Sequence, residues 1–260
     1  MKKALVLIGV SLVMLFAAGV AVALDNIVNI HVNDATGYPA PPYAYGTPIS
    51  IRGIITAEFT TSTVTYTRAF IQDATGGINL YKKAGTGNHI CFNIGDDVSI
   101  EGAVAFYRGL TEDSILSYTI NSSGNPVPAP KVITIPQLNG TFLADYTEPD
   151  EGRLIKIGPV TITGMLPSDT LWASKNWNIT DGVNTGILYI YGGSGCAVHP
   201  LIGTKVPVGP FCVIGILTQY KTPGPYTSGY QISPRVVPDI IVGPTAVENA
   251  TWGRIKSLFR

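Results

Sequence analysis

Charge is scarce in this sequence. Of its 260 residues only 13% are Asp, Glu, Lys or Arg, and 17 basic residues face 17 acidic ones. Indiscriminate nucleic-acid binding rests on a basic face that displaces counterions. A bulk surplus of that kind is absent, although a local patch remains open. Histidine is as sparse: His31, His89 and His199 are scattered, with no nucleophile–base set around them. Ser194, in Gly192-Gly193-Ser194-Gly195, lacks the strand–elbow–helix context of a nucleophile loop. His31 with Asp34, and Cys196 with His199, offer two ligands each, short of a metal site. The residues therefore predict a chain that is not an enzyme and carries no cofactor or metal. Three methionines and few leucine-rich helical periods leave little room for helices.

What is abundant is turn chemistry. The 29 glycines and 19 prolines suit many short strands joined by tight turns, an all-β composition. The length allows two domains of modest size. The first 23 residues stand apart: Lys2 and Lys3, an apolar run from Ala4 to Val20, then small residues at Ala21-Val22-Ala23. That is the pattern of a secretory signal peptide over 1–23, with an uncleaved anchor as the rival reading because the run approaches spanning length. Its loss removes Lys2 and Lys3, leaving 15 basic against 17 acidic residues, a net charge of −2. The expected address is the cell envelope or the medium.

Phe70-Ile71-Gln72-Asp73-Ala74-Thr75-Gly76-Gly77-Ile78-Asn79-Leu80-Tyr81 reads as strand, tight turn, strand. Ile71, Ile78 and Leu80 can point to one face, Phe70, Gln72, Asn79 and Tyr81 to the other; Asp73 and the glycines supply the turn. Upstream, residues 24–45 read as a lead-in, a possible edge strand over 26–32 and then a proline-rich loop. Residues 46–123 carry five strands with a glycine bend at Gly53 in the first, the outline of an OB-fold barrel. A Pro/Gly-rich linker covers 124–144. The order then returns over 145–242: residues 152–158 match the first strand, Asp181 matches Asp73, and Phe211–Gly215 match Val98–Gly102. The offsets grow along the chain as loop insertions would make them, so the fold class is all-β, two tandem OB-fold-like barrels.

Phe-Ile-Gln-Asp-x-Thr-Gly-Gly-Ile (Phe70–Ile78), followed by Gly-Asp-x-Val-x-Ile-x-Gly (Gly95–Gly102), resembles the OB-fold modules attached to secreted bacterial nucleases and related cell-surface proteins. Thr227-Ser228-Gly229-Tyr230-Gln231-Ile232 and Pro234-Arg235 are similar to the closing strand of those modules. The resemblance implies a fold over about residues 46–242 and says little about ligand. In such proteins a separate domain does the chemistry, and no counterpart of one is read here.

OB barrels bind on the face of their second and third strands. In the first barrel that face offers Arg52, Arg68, Phe70, Gln72, Asn79, Tyr81 and Lys82. Rings stack on bases or sugars, and Arg and Lys meet phosphates. The second barrel offers Trp177, Tyr189 and Tyr191 with Lys175 nearby. The expected partner is single-stranded nucleic acid or an extracellular oligosaccharide, bound by a secreted adaptor; a surface or assembly protein that binds proteins through the same faces is the alternative. Phe70 and Tyr81 covering the barrel or packing on the second domain is the plainer reading, and a one-residue register shift would turn these side chains inward.

Three cysteines forbid complete pairing within one chain. Cys196 and Cys212, in the same expected barrel, are the preferred pair, worth about 3 kcal/mol for such a loop, which leaves Cys91 a buried free thiol; three unpaired core cysteines are the alternative. Residues 243–260 form a separate tail. Thr245-x-x-Glu248 is a capping box. Trp252, Ile255 and Phe259 fall on one helical face, with Arg254, Lys256 and Arg260 on the others. The tail reads as a dock for an envelope partner, a sorting component or an anionic membrane surface, or as a helix folded back on a barrel.

Overall fold

The computed structural model describes residues 23–60, 66–83, 89–166, 168–192, 196 and 198–243. The expected signal peptide, apart from Ala23, and the expected docking tail, apart from Gly243 and with Trp252, Arg254, Ile255, Lys256, Phe259 and Arg260 in it, lie outside them. The chain is all-β and OB-fold-like. Among the described residues no helix is long and apolar enough to cross a membrane.

Strands β1 (Pro48–Glu58), β2 (Tyr66–Gln72), β3 (Gly77–Lys83), β4 (Asp97–Tyr107) and β5 (Leu110–Ser122) close into a barrel in the order β1-β2-β3-β5-β4. All neighbours are antiparallel except β3 and β5, which run parallel. The period of two sends Ile51, Ile71, Ile78, Leu80, Val98 and Ile100 inward as one core. Asp73 fixes the β2–β3 turn: its Oδ1 accepts from the backbone N–H groups of Thr75 (2.6 Å) and Gly76 (2.7 Å).

The lead-in is not the edge strand expected over 26–32. Residues Ile27–Ile30 form a single helical turn, α1. Ile27 and Ile30, three apart, share a helical face and are buried in the first barrel's core. The free N–H groups of Ile27 and Val28 donate to Asp73 Oδ2 and Thr75 Oγ1.

After β6 (Lys131–Val132) and a capped turn of helix α2 (Ile135–Asn139) come β7 (Leu154–Ile162), β8 (Lys175–Thr180), β9 (Thr185–Ile190), β10 (Phe211–Gln219), β11 (Tyr230–Ser233) and β12 (Ile240–Val242). They form one sheet, β12-β10-β11-β9-β8-β7-β6, in which β10 also pairs with β7. Following β7-β8-β9-β11-β10 returns to β7, with β9 and β11 parallel, the same circuit as the first barrel. Its core is a separate cluster around Ile155, Trp177, Leu188, Ile190, Phe211 and Val213.

A third cluster joins the two. Ala57, Phe59, Phe70 and Leu110 of the first barrel meet Leu154, Tyr191 and Ile216 of the second. Gln72 Oε1 accepts from Leu154 N at 2.9 Å, Arg153 Nη1 donates to Thr75 O at 3.1 Å, and Arg235 Nη1 donates to Thr56 O at 2.9 Å.

The barrels are also linked covalently, by Cys91–Cys196. This corrects the expected Cys196–Cys212 pair and the expected free Cys91. Cys91 lies between β3 and β4, Cys196 in the equivalent segment between β9 and β10. Cys212 is unpaired. It lies within β10, beside β7, where a Cβ on Gly158 would come 2.9 Å from its Sγ. A crosslink closing a loop of 105 residues stabilises by about 4.7 kcal/mol in the chain-entropy account. Such a bond suits an oxidising compartment.

Candidate nucleic-acid interface

The outer row of β2 and β3 is Arg68, Phe70, Gln72, Asn79 and Tyr81, and the second barrel covers one end of it. Phe70 is wholly buried in the cluster between the barrels. Gln72 is buried and spent on Leu154. Asn79 is buried, its Nδ2 donating to Ala69 O at 3.1 Å. These three, expected at a ligand surface, are corrected to a buried face: Phe70 and Gln72 point out of their own barrel and into its neighbour, and Asn79 is spent on its own sheet. Lys82 shares its row with Ile78 and Leu80 at the barrel rim, not with Tyr81. Arg52 is held on β1 by a bidentate pair with Asp97 (2.9 and 2.6 Å) and does not line the cleft described next.

At the other end the row stays open. Arg68 and Tyr81, cross-strand neighbours, sit where the two barrels diverge. Here lies a cleft of about 580 Å³, walled by Tyr66, Arg68, Tyr107 and Leu110 from the first barrel and by Lys175, Asn176, Tyr189, Tyr191 and Gln231 from the second. A smaller recess of about 270 Å³ continues from it past Tyr66, Arg68 and Tyr107 to Tyr81, Tyr45 and Glu112. Arg68 stands at the junction of the two.

Its surroundings are aromatic. The guanidinium carbon is 5.0 Å from the centre of the Tyr191 ring and 5.7 Å from that of Tyr66. Tyr191 packs edge-on to Tyr189 at 4.9 Å and stacks on Phe59 at 4.7 Å, which fixes the ring under the arginine. Among the described residues Arg68 Nε, buried, has no hydrogen-bond partner. Burial works against its charge, but Tyr191 and Glu112 around it hold its pKa above the ordinary value. Glu112, at the wall of the recess, is pushed up to about 7 by burial, with Arg68 acting the other way. Near neutral pH the positive charge of the cleft is therefore only partly offset. At the rim Arg108 lies 5.2 Å over both Tyr107 and Tyr220 and hydrogen-bonds the Tyr220 hydroxyl.

Tyr189 and Tyr191 thus reach the cleft, whereas Trp177 does not. Trp177 pairs across the strands with Leu188, so it shares the inward row of the second barrel and is 4% exposed. The expected grouping of Trp177 with the two tyrosines fails by one residue of register. Lys175 Nζ lies 4.3 Å over its ring. Asn176, opposite Tyr189 and beside the cleft, was missed; only the β8–β9 register could have shown it.

No family model matches the chain. Over 169 residues it is 31% identical to Endonuclease YhcR of Bacillus subtilis (strain 168). The match covers 60% of this chain and 13% of that relative. The relative is an endonuclease by name. That likeness overturns the expectation that the chain is not an enzyme. Two structures of asparaginyl-tRNA synthetase from Pyrococcus horikoshii, one complexed with asparaginyl-adenylate, match at 15% identity with a TM-score of 0.27. They cover 33% of this chain and 21% and 22% of theirs, an overlap too slight to compare folds.

Proposed function

We propose that the protein works outside the cytoplasm as a nuclease-associated OB-fold protein that takes single-stranded nucleic acid into the cleft between its barrels. The observation that carries this reading is Arg68: a cationic fork whose buried Nε has no partner among the described residues, flanked by Tyr66 and Tyr191, at the open end of the β2–β3 face. A phosphate supplies the acceptor that Nε lacks, and bases find tyrosine faces on both barrels. The name of the Bacillus relative supports the ligand class. The apolar run at 4–20 and the Cys91–Cys196 bond support export.

Fluorescence anisotropy with labelled single-stranded oligonucleotides over a salt series tests the reading. Affinity should fall as salt rises, and Arg68→Ala should lose about tenfold or more while flattening the salt slope by about one ion. Binding should tighten as pH drops through about 7, when Glu112 becomes neutral. Wild-type affinity in Arg68→Ala rejects the cleft. Oligonucleotide binding indifferent to salt rejects the phosphate contact assigned to Arg68.

A further inference from the structure

His89, Cys91 and Cys196 each bring one ligand atom, a ring nitrogen or Sγ, to within 4.8 Å of the others. Nothing in the proposed binding function uses this cluster. Two sulfurs and an imidazole are the donor set of a thiophilic divalent cation. A tetrahedral Zn²⁺, with Zn–S near 2.3 Å and Zn–N near 2.0 Å, holds its ligand atoms about 3.5–4 Å apart, so the two sulfurs, bonded to each other in the structure, move apart to reach that spacing once reduced.

Cys91 is held by more than the sulfur–sulfur bond. On either side of Cys91 the backbone is tied to the barrel: Ile90 N donates to Thr67 Oγ1 at 2.7 Å and Phe92 N to Glu58 Oε2 at 3.0 Å. Beyond Cys196, His199 Nε2 lies 3.0 Å from Pro234 O, which anchors that segment to the second barrel. Cys91 is exposed to solvent, so reductant and ion have access.

We propose that, when the Cys91–Cys196 bond is reduced, Cys91, Cys196 and His89 form a three-ligand site for Zn²⁺ or a similar soft divalent cation, leaving one coordination position open. The barrels are then bridged either by a disulfide or by a metal, never both. A dithiol cleaves the S–S bond by giving two electrons and two protons and ends as its own disulfide; a phosphine gives the two electrons and ends as its oxide, with the oxygen and both protons taken from water. Metal binding releases the two thiol protons to solvent and leaves the sulfurs as thiolates.

The test uses the full chain, reduced by a phosphine under anaerobic conditions, with Co²⁺ as the probe. One equivalent should bind with release of two protons per ion, giving sulfur-to-cobalt charge transfer and tetrahedral d–d bands, and Zn²⁺ should displace it with no further proton release. The oxidised protein should give no such spectrum. Cys212→Ser should behave as wild type, and His89→Ala and His89→Gln, checked for native circular dichroism, should weaken binding about tenfold or more. No cobalt–thiolate spectrum in the reduced protein, an unchanged affinity in both His89 variants, or a spectrum lost in Cys212→Ser overturns the proposal.

Discussion

Gly77 and Gly152 meet backbone to backbone where the barrels touch. A Cβ built on Gly77 would stand 2.3 Å from the carbonyl oxygen of Gly152, and one on Gly152 would stand 2.4 Å from that of Gly77. Gly152 also has φ +75°, a conformation other residues rarely adopt. The nearest atoms to either added Cβ are all backbone, with no flexible side-chain end to push aside. Gly77→Ala should destabilise by about 1–3 kcal/mol, and Gly152→Ala by at least as much because it adds backbone strain. Urea midpoints of the two variants check this; a loss below about 0.5 kcal/mol in both would mean the barrels do not pack this closely.

The cysteines make a second, independent test of how the barrels are joined. Cys91→Ser and Cys196→Ser should each lower stability by several kcal/mol, up to about 5, while Cys212→Ser stays within about 1. Peptide mapping of the unreduced protein should give one crosslinked peptide holding Cys91 and Cys196. A Cys196–Cys212 peptide would contradict the structure.

Beneath the joint lies a group of buried acids. Tyr230 donates its hydroxyl to Glu148 Oε1, Asn33 Nδ2 donates to Glu148 Oε2 at 2.7 Å, and Glu151 Oε2 lies 3.3 Å from His31 Nδ1. Glu148 is pushed up to about 8 by burial and by Glu151 beside it, and Glu151 up to about 8 by burial. A carboxyl whose folded pKa exceeds its unfolded value of 4.5 binds its proton more tightly in the folded state. Its stabilisation is complete below that value and is lost as pH climbs to about 8. Buried His31 is lowered by desolvation and acts oppositely, costing stability as pH falls below its ordinary 6.5. The urea midpoint should therefore decline between about pH 6 and pH 8.5, and Glu148→Gln should flatten that decline. An equal slope in wild type and Glu148→Gln would show that Glu148 is ionised throughout.

Much of the first barrel was legible because one period governs it. Ile71, Ile78 and Leu80 go inward and Phe70, Gln72, Asn79 and Tyr81 go outward as alternation requires, and the turn at Asp73 falls where aspartate and glycine place it. What outward means was not legible. Phe70 and Gln72 face the second barrel, Tyr81 faces a cleft, and only packing between segments distant in sequence separates the two cases. Trp177 was misplaced because periodicity gives rows on a strand, not the register that decides which row faces in. The cysteine pairing failed for a related reason: spacing carries no connectivity, and Cys91 and Cys196 meet through the docking of two domains. Residues 26–32 carry apolar positions that fit strand or helix, and the acceptors on Asp73 and Thr75 select the helix.

The cleft is the centre of this account, and amide and methyl NMR shift mapping of the labelled protein with a short single-stranded oligonucleotide tests it most directly. The account predicts perturbations on both walls together, at Tyr66, Arg68 and Tyr81 of the first barrel and at Asn176 and Tyr189 of the second. Perturbations confined to one barrel, or centred on the exposed Arg52–Asp97 pair, would contradict it.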